Sequence, residues 1–190
     1  INNAAGNFLC ASEDLSANAF NSVVQIVLYE TFHCARDLGR RLIERGQRGE
    51  ILSIVTNYAV MGSAFVLPSA CAKAGVLALV RSLAVEWAAY GIRLNAVAPG
   101  PFPTEGAFSR LAPREVEDQM RRRVPSRRFG EHWELTNLVA YLMSGASPYQ
   151  TGDQVTIDGA EALFSGQEFA GFAQMDRAAV KTMMAALRKK

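Results

Sequence analysis

Histidine, cysteine and proline are scarce: two, three and seven residues in a chain of 190. Cys10, Cys34 and Cys71 are odd in number and widely spaced, with no C-x-x-C pair and no histidine at ligand spacing. That argues against a disulfide framework and against a zinc site. They are expected as buried or half-buried free thiols, and a reducing, cytoplasmic setting suits them. His33 and His132 have no partner spacing for a metal or a triad, so no metal is expected. Charge of one sign is lacking too. Twenty basic against eighteen acidic side chains leave a net charge of +2, which speaks for neither nucleic acid nor a membrane surface as partner. No uninterrupted apolar run approaches the roughly 20 residues needed to cross a bilayer, and no charged-then-apolar leader opens the chain. A soluble, unexported protein is expected.

About half of the residues are hydrophobic, 49%, enough for one compact domain with a sizeable core. No repeat, low-complexity tract or linker divides the chain, so residues 1–190 are read as a single domain with a helical tail over about 167–190. "LSANAFNSVVQIVLYETFHCARDLGRRLIERG" carries apolar residues at helical spacing (Phe20, Val23, Val27, Leu28, Phe32, Leu38, Leu42), with Ser16 as N-cap and Gly46 as stop. "EILSIVTN" reads as a parallel strand buried on both faces. A second long helix from Ser69 ends at Gly91, and "IRLNAVAPG" is a second buried strand. "WELTNLVAYLMSG" is a helix and "QVTIDG" a last strand. In the tail, Asp176 caps a helix whose stripe is Val180, Met183, Met184 and Leu187. Alternation at crossover spacing predicts an α/β fold, a doubly wound parallel sheet of Rossmann type.

Four segments, "NNAAGN", the helix bearing Lys73, the strand ending in "NAVAPGP", and "TGDQVTIDGA", stand in the order and spacing of the short-chain dehydrogenase/reductase family, which residues 1 to about 160 resemble. The resemblance implies a nicotinamide dinucleotide at the carboxyl ends of the strands. Asn2, Asn3, Ala4 and Gly6 would line its adenosine side, and Lys73 would hold the nicotinamide ribose. Pro99, Gly100, Pro101, Phe102 and Thr104 would pack around the nicotinamide. Gly100 and Pro101 suit a backbone that must approach a ring closely. The family's glycine-rich pyrophosphate turn is absent from this sequence, and the chain opens on Ile1 rather than methionine. It is therefore expected to be the C-terminal portion of such a fold, with sequence missing upstream.

The family's usual acid is a tyrosine four residues before the lysine; here that position is Ser69. Enoyl reductases of the same superfamily place the phenol seven residues before, where this chain has Val66, and Val27 stands where many relatives carry a helix asparagine. The nearest remaining phenol is Tyr58, fifteen residues before Lys73 and just after the apolar strand "ILSIV". A serine in the tyrosine's place with the phenol at the strand end resembles the 2,4-dienoyl-CoA reductases. "NNAAGNF", "FVLPSACAKAGV", "PGPFPTEGAFSRL" and "DGAEALFSGQEF" agree with that subfamily.

That resemblance implies NADPH-dependent reduction of a conjugated acyl-CoA to a 3-enoyl-CoA in unsaturated fatty acid oxidation. Tyr58, Lys73, Ser69 and Asn7 would be catalytic, with Tyr58 and Asn7 on the thioester oxygen and Lys73 favouring the deprotonated side of Tyr58. Phe8 and Arg110 would meet the acyl-CoA, and a homo-oligomer, a tetramer in the family, would form through the two long helices. Blander readings stay open beside these: Tyr58 as an aromatic sealing the strand end, Asn7 as a turn residue, Arg110 and the run "MRRRVPSRR" as solvated surface. So do two other functions, another acyl-CoA or carbonyl reductase of the superfamily and a non-catalytic assembly partner.

Overall fold

The computed structural model describes residues 1–103 and 121–187, which group into two compact units. The first comprises Ile1–Pro99 with His132–Ile157, the second Gly100–Glu131 with Asp158–Lys190.

The first unit is built on a parallel sheet of β1 (Gly49–Ile54), β2 (Ile92–Pro99) and β3 (Gln154–Ile157), in the order β1-β2-β3. Asn2 bridges to Ser53 on the side of β1 away from β2. Alternate side chains point to opposite faces. Ile51, Leu94 and Ala96 enter one core with Val23, Val27, Val76 and Val80, while Leu52 and Val97 enter a second with Leu142. Burial on both faces is why β1 and β2 read as near-continuous apolar runs.

The first face is covered by α1 (Ala17–Val24), α2 (Glu30–Glu44) and α4 (Leu67–Trp87), the second by α5 (His132–Met143). Ser16 accepts from the Ala19 N–H at the start of α1, and Gly91 turns the chain into β2 with φ of 73°. By length and composition the helical stretch Leu67–Tyr90 is apolar enough to cross a membrane, yet half of that window is buried inside the protein. It is the central core helix.

The helix expected as one run from Ser16 to Gly46 is interrupted by a π turn at Gln25–Tyr29. Its buried positions, Val23, Val27, Thr31, Ala35 and Gly39, recur every four residues. In a regular helix such a series rotates by about 40° per step. One wide turn takes up that drift, and the Thr31 hydroxyl donates to the Val27 carbonyl at 2.7 Å. Phe32 and Leu38, expected inside, are exposed. The thiols also depart from expectation: all three are free, but Cys34 and Cys71 are exposed.

Arg93 and Asn95, buried on β2, anchor the connection into β3. Arg93 donates to the Leu142 and Ser144 carbonyls at the end of α5, to the Gln150 carbonyl and to Glu50, so its charge is fully engaged. Asn95 donates to the Gln150 carbonyl and accepts from the Asp153 N–H.

In the second unit a Cβ on Gly100 would come within 2.7 Å of the Asp158 backbone, a close approach that requires glycine there. Asp158 caps α6 (Glu161–Phe164) through the Ala160 and Ala162 N–H groups. Asp176 caps α7 (Arg177–Leu187) through Ala179, as expected, with Val180 buried.

Candidate active site

The carboxyl ends of parallel strands leave room for a ligand because the chain turns away from the sheet there. After β1 the chain runs through Val55, Thr56 and Asn57 into a one-turn helix, α3 (Tyr58–Met61), which begins with the phenol. Gly62 ends α3 with φ of 73° and ψ of 173°. A short loop then enters α4, where Pro68 occupies the first turn that needs no N–H donor. Ser69 and Lys73 follow one helical turn apart, both buried.

These elements bring Tyr58 Oη and Ser69 Oγ to 3.0 Å, within hydrogen-bond contact. Lys73 Nζ donates to the Ile54 carbonyl at 2.6 Å and to the Ala4 carbonyl at 3.1 Å, tying the end of β1 to the segment beside it. An ammonium has three protons, and among the described residues only two are engaged, which leaves the third for a ligand. Burial pushes the Lys73 pKa down to about 8. A crevice of about 250 Å³ is lined by Asn3, Gly6, Asn7, Thr56, Tyr58, Ser69 and Lys73, among others.

The expected residues fall into distinct positions. Tyr58, Ser69, Lys73 and Asn7 share the crevice, with Asn3 and Gly6 on its wall. Ala4 takes part through its carbonyl. Asn2 is a sheet residue: its N–H donates to Leu52 and its carbonyl accepts from Ile54. Phe8 is exposed beside Asn7. Pro99 closes β2, whereas Gly100, Pro101 and Phe102 belong to the second unit, where the Pro101 carbonyl accepts from the Gly130 N–H. Thr104 and Arg110 lie outside the described residues.

The sequence reading missed Thr56. It lines the crevice, and its Oγ1 is buried with no hydrogen-bond partner among the described residues. A threonine at a strand end passes for an ordinary β-former; only its unpaired hydroxyl marks it out.

The sequence matches the family model described as Enoyl-(Acyl carrier protein) reductase over residues 1–160. A crystal structure of a short chain dehydrogenase from Bacillus anthracis superimposes with a TM-score of 0.75 at 42% identity, covering 85% of this chain and 64% of that one. The chain belongs to the short-chain dehydrogenase/reductase family. Among the curated members of this family, a probable 2,4-dienoyl-CoA reductase of Bacillus subtilis is 46% identical over 167 residues, 86% of this chain and 65% of the relative. A probable 2,4-dienoyl-CoA reductase of Caenorhabditis elegans is 43% identical over 168 residues, 87% of this chain and 54% of the relative. The names of the two differ in product, (2E)-enoyl-CoA for the first and (3E)-enoyl-CoA for the second. The chain thus spans between half and two thirds of the short-chain reductases it matches.

Proposed function

We propose that the protein is an NADPH-dependent 2,4-dienoyl-CoA reductase, and that this chain supplies the residues that act on the thioester. The observation that carries the reading is the Tyr58–Ser69 contact of 3.0 Å one helical turn from Lys73. Serine stands here in the place of the family's usual tyrosine, and the Tyr58 phenol lines the same crevice. Relatives named as 2,4-dienoyl-CoA reductases support the assignment.

The nicotinamide end of the cofactor fits the chemistry of the crevice. Among the described residues Lys73 uses two of its three N–H groups, which leaves one for ribose hydroxyls, and the buried, unpaired Thr56 hydroxyl offers a second polar partner once its side chain turns into the crevice. Bound NADPH would supply a hydride for the far carbon of the diene. Electron density moves through the conjugated system to the thioester oxygen. There Tyr58 and Asn7 donate hydrogen bonds, each worth on the order of 3 kcal/mol to a developing oxyanion in a fixed, dry site. Ser69 acts through Tyr58: with Oγ at hydrogen-bond distance it fixes the phenol's rotamer and its proton. Lys73 holds the ribose, and its ammonium stays tied to two carbonyls. A solvent proton then adds to the carbon beside the carbonyl, which leaves the remaining double bond at position 3.

Two companion proposals rest on lesser observations. Exposed Tyr29 and Phe32 on the outer helices and Val85 on α4 suit a homo-oligomer, a tetramer by resemblance, formed through those helices. Three free thiols suit a cytoplasmic setting.

The reading is tested by Tyr58→Phe. Loss of the donor is expected to lower kcat by about 10²- to 10³-fold with little change in KM. Turnover within twofold of the native protein would assign the acid elsewhere, and with it another reductase of the family. The product's double bond, located by NMR, is expected at position 3.

A further inference from the structure

Phe65 combines three properties that rarely coincide. It has φ of 62°, in the left-handed region that disfavours a bulky L-residue. It is 61% exposed, so packing in a core does not offset that strain. And its carbonyl accepts from the Cys10 N–H at 2.9 Å, clasping the loop between α3 and α4 to the segment that follows Asn7 and Phe8.

The clasp joins two segments whose near neighbours in sequence line the crevice. The loop it holds runs from α3, which starts at Tyr58, into α4, which carries Ser69 in its first turn, and Asn7 lies three residues before Cys10. Apolar side chains are exposed close by in sequence: Phe8 and Leu9 just before Cys10, and Val60 and Met61 on α3. Strain held in place at a site by surrounding structure points to function, and an exposed apolar group beside a site for an acyl thioester has one fitting occupant, the acyl chain itself.

We propose that Phe65 is a specificity-determining residue whose ring, with Phe8 and Met61, seats the acyl chain as it leaves the thioester held by Tyr58. This rests on the reading of the site as one for a conjugated acyl thioester. The left-handed backbone at Phe65 lets a short loop present the ring outward while its carbonyl faces Cys10. Chain length is then read by how much apolar surface the substrate lays on that ring.

The test is a chain-length series of 2,4-dienoyl-CoA substrates with the native protein, Phe65→Gly and Phe65→Leu. Glycine removes the ring while accepting the positive φ, so loss of fold does not confuse the result. The ratio of kcat/KM for a long chain to that for a short one is expected to fall about tenfold in Phe65→Gly, the order that burial of a phenyl ring supports, and to return most of the way in Phe65→Leu. An equal loss at every chain length, or no loss at any, overturns the proposal. If the native protein turns over no dienoyl thioester, the functional reading fails. The seat is then judged by direct binding of saturated acyl-CoAs of the same lengths: affinity that rises with chain length and loses that rise in Phe65→Gly keeps it, and affinity independent of Phe65 removes it.

Discussion

Lys73 illustrates how a single residue is set by its burial and its partners. Its ammonium is held by two carbonyls, yet burial pushes its pKa from the ordinary lysine value down to about 8. A lowered lysine pKa means that between pH 8 and the ordinary lysine range the unfolded chain binds more protons than the folded one. The contribution of this group to stability therefore rises with pH across that window. Thermal melts from pH 7.5 to 10 are expected to show this rise relative to Lys73→Met, in which the group is gone; parallel curves would contradict it. Cofactor affinity is expected to run the other way, weakening above about pH 8 as the ammonium loses its charge. Thr56 makes a complementary prediction. Removing an unpaired buried hydroxyl leaves stability unchanged or slightly raised, so Thr56→Val is expected to fold as well as the native protein while kcat/KM falls about tenfold. Calorimetry and kinetics on one preparation separate the two effects. That Tyr58, Ser69 and Lys73 come together was legible because residue type and spacing mark them as a group. Thr56 was not, because its significance lies in the absence of a partner, a property of packing.

Helices and strands were legible to the extent that burial follows their natural period. β1 and β2 are buried on both faces and read as apolar runs, and α1 and α7 begin at the caps that Ser16 and Asp176 announce. The π turn at Gln25–Tyr29 escaped because apolar residues on both sides of it are compatible with an unbroken helix; only the four-residue spacing of the buried positions betrays it. The phase matters for Gly39. It lies on the buried side of α2 against Trp87, where an added Cβ would stand 2.4 Å from two ring atoms. Gly39→Ala is expected to destabilise by about 1–3 kcal/mol through overpacking, although alanine is the better helix former by about 1 kcal/mol. A rise in melting temperature would mean that α2 and α4 can separate at no cost.

At the scale of the whole molecule the parallel sheet serves the chemistry by its direction. Its strands deliver Thr56 and Tyr58 to one pole of the first unit, with Lys73 reaching the same pole from α4, and Arg93 and Asn95 anchor the connection into β3. Division of the described residues into two units was not legible, because no composition shift or linker marks the crossings at Pro99, His132 and Ile157. Exposed Tyr29 on the outer helix gives the oligomer proposal its test: Tyr29→Glu is expected to shift sedimentation toward smaller species, and an unchanged profile would place the interface elsewhere. The central claim concerns the substrate. Oxidation of NADPH by the native protein is to be followed with a 2,4-dienoyl-CoA, a 2-enoyl-CoA and a 3-ketoacyl-CoA of equal chain length. The account predicts a kcat/KM for the diene at least about a hundredfold above either competitor, the scale set by loss of an oxyanion contact; equal rates, or preference for the ketone, would contradict it.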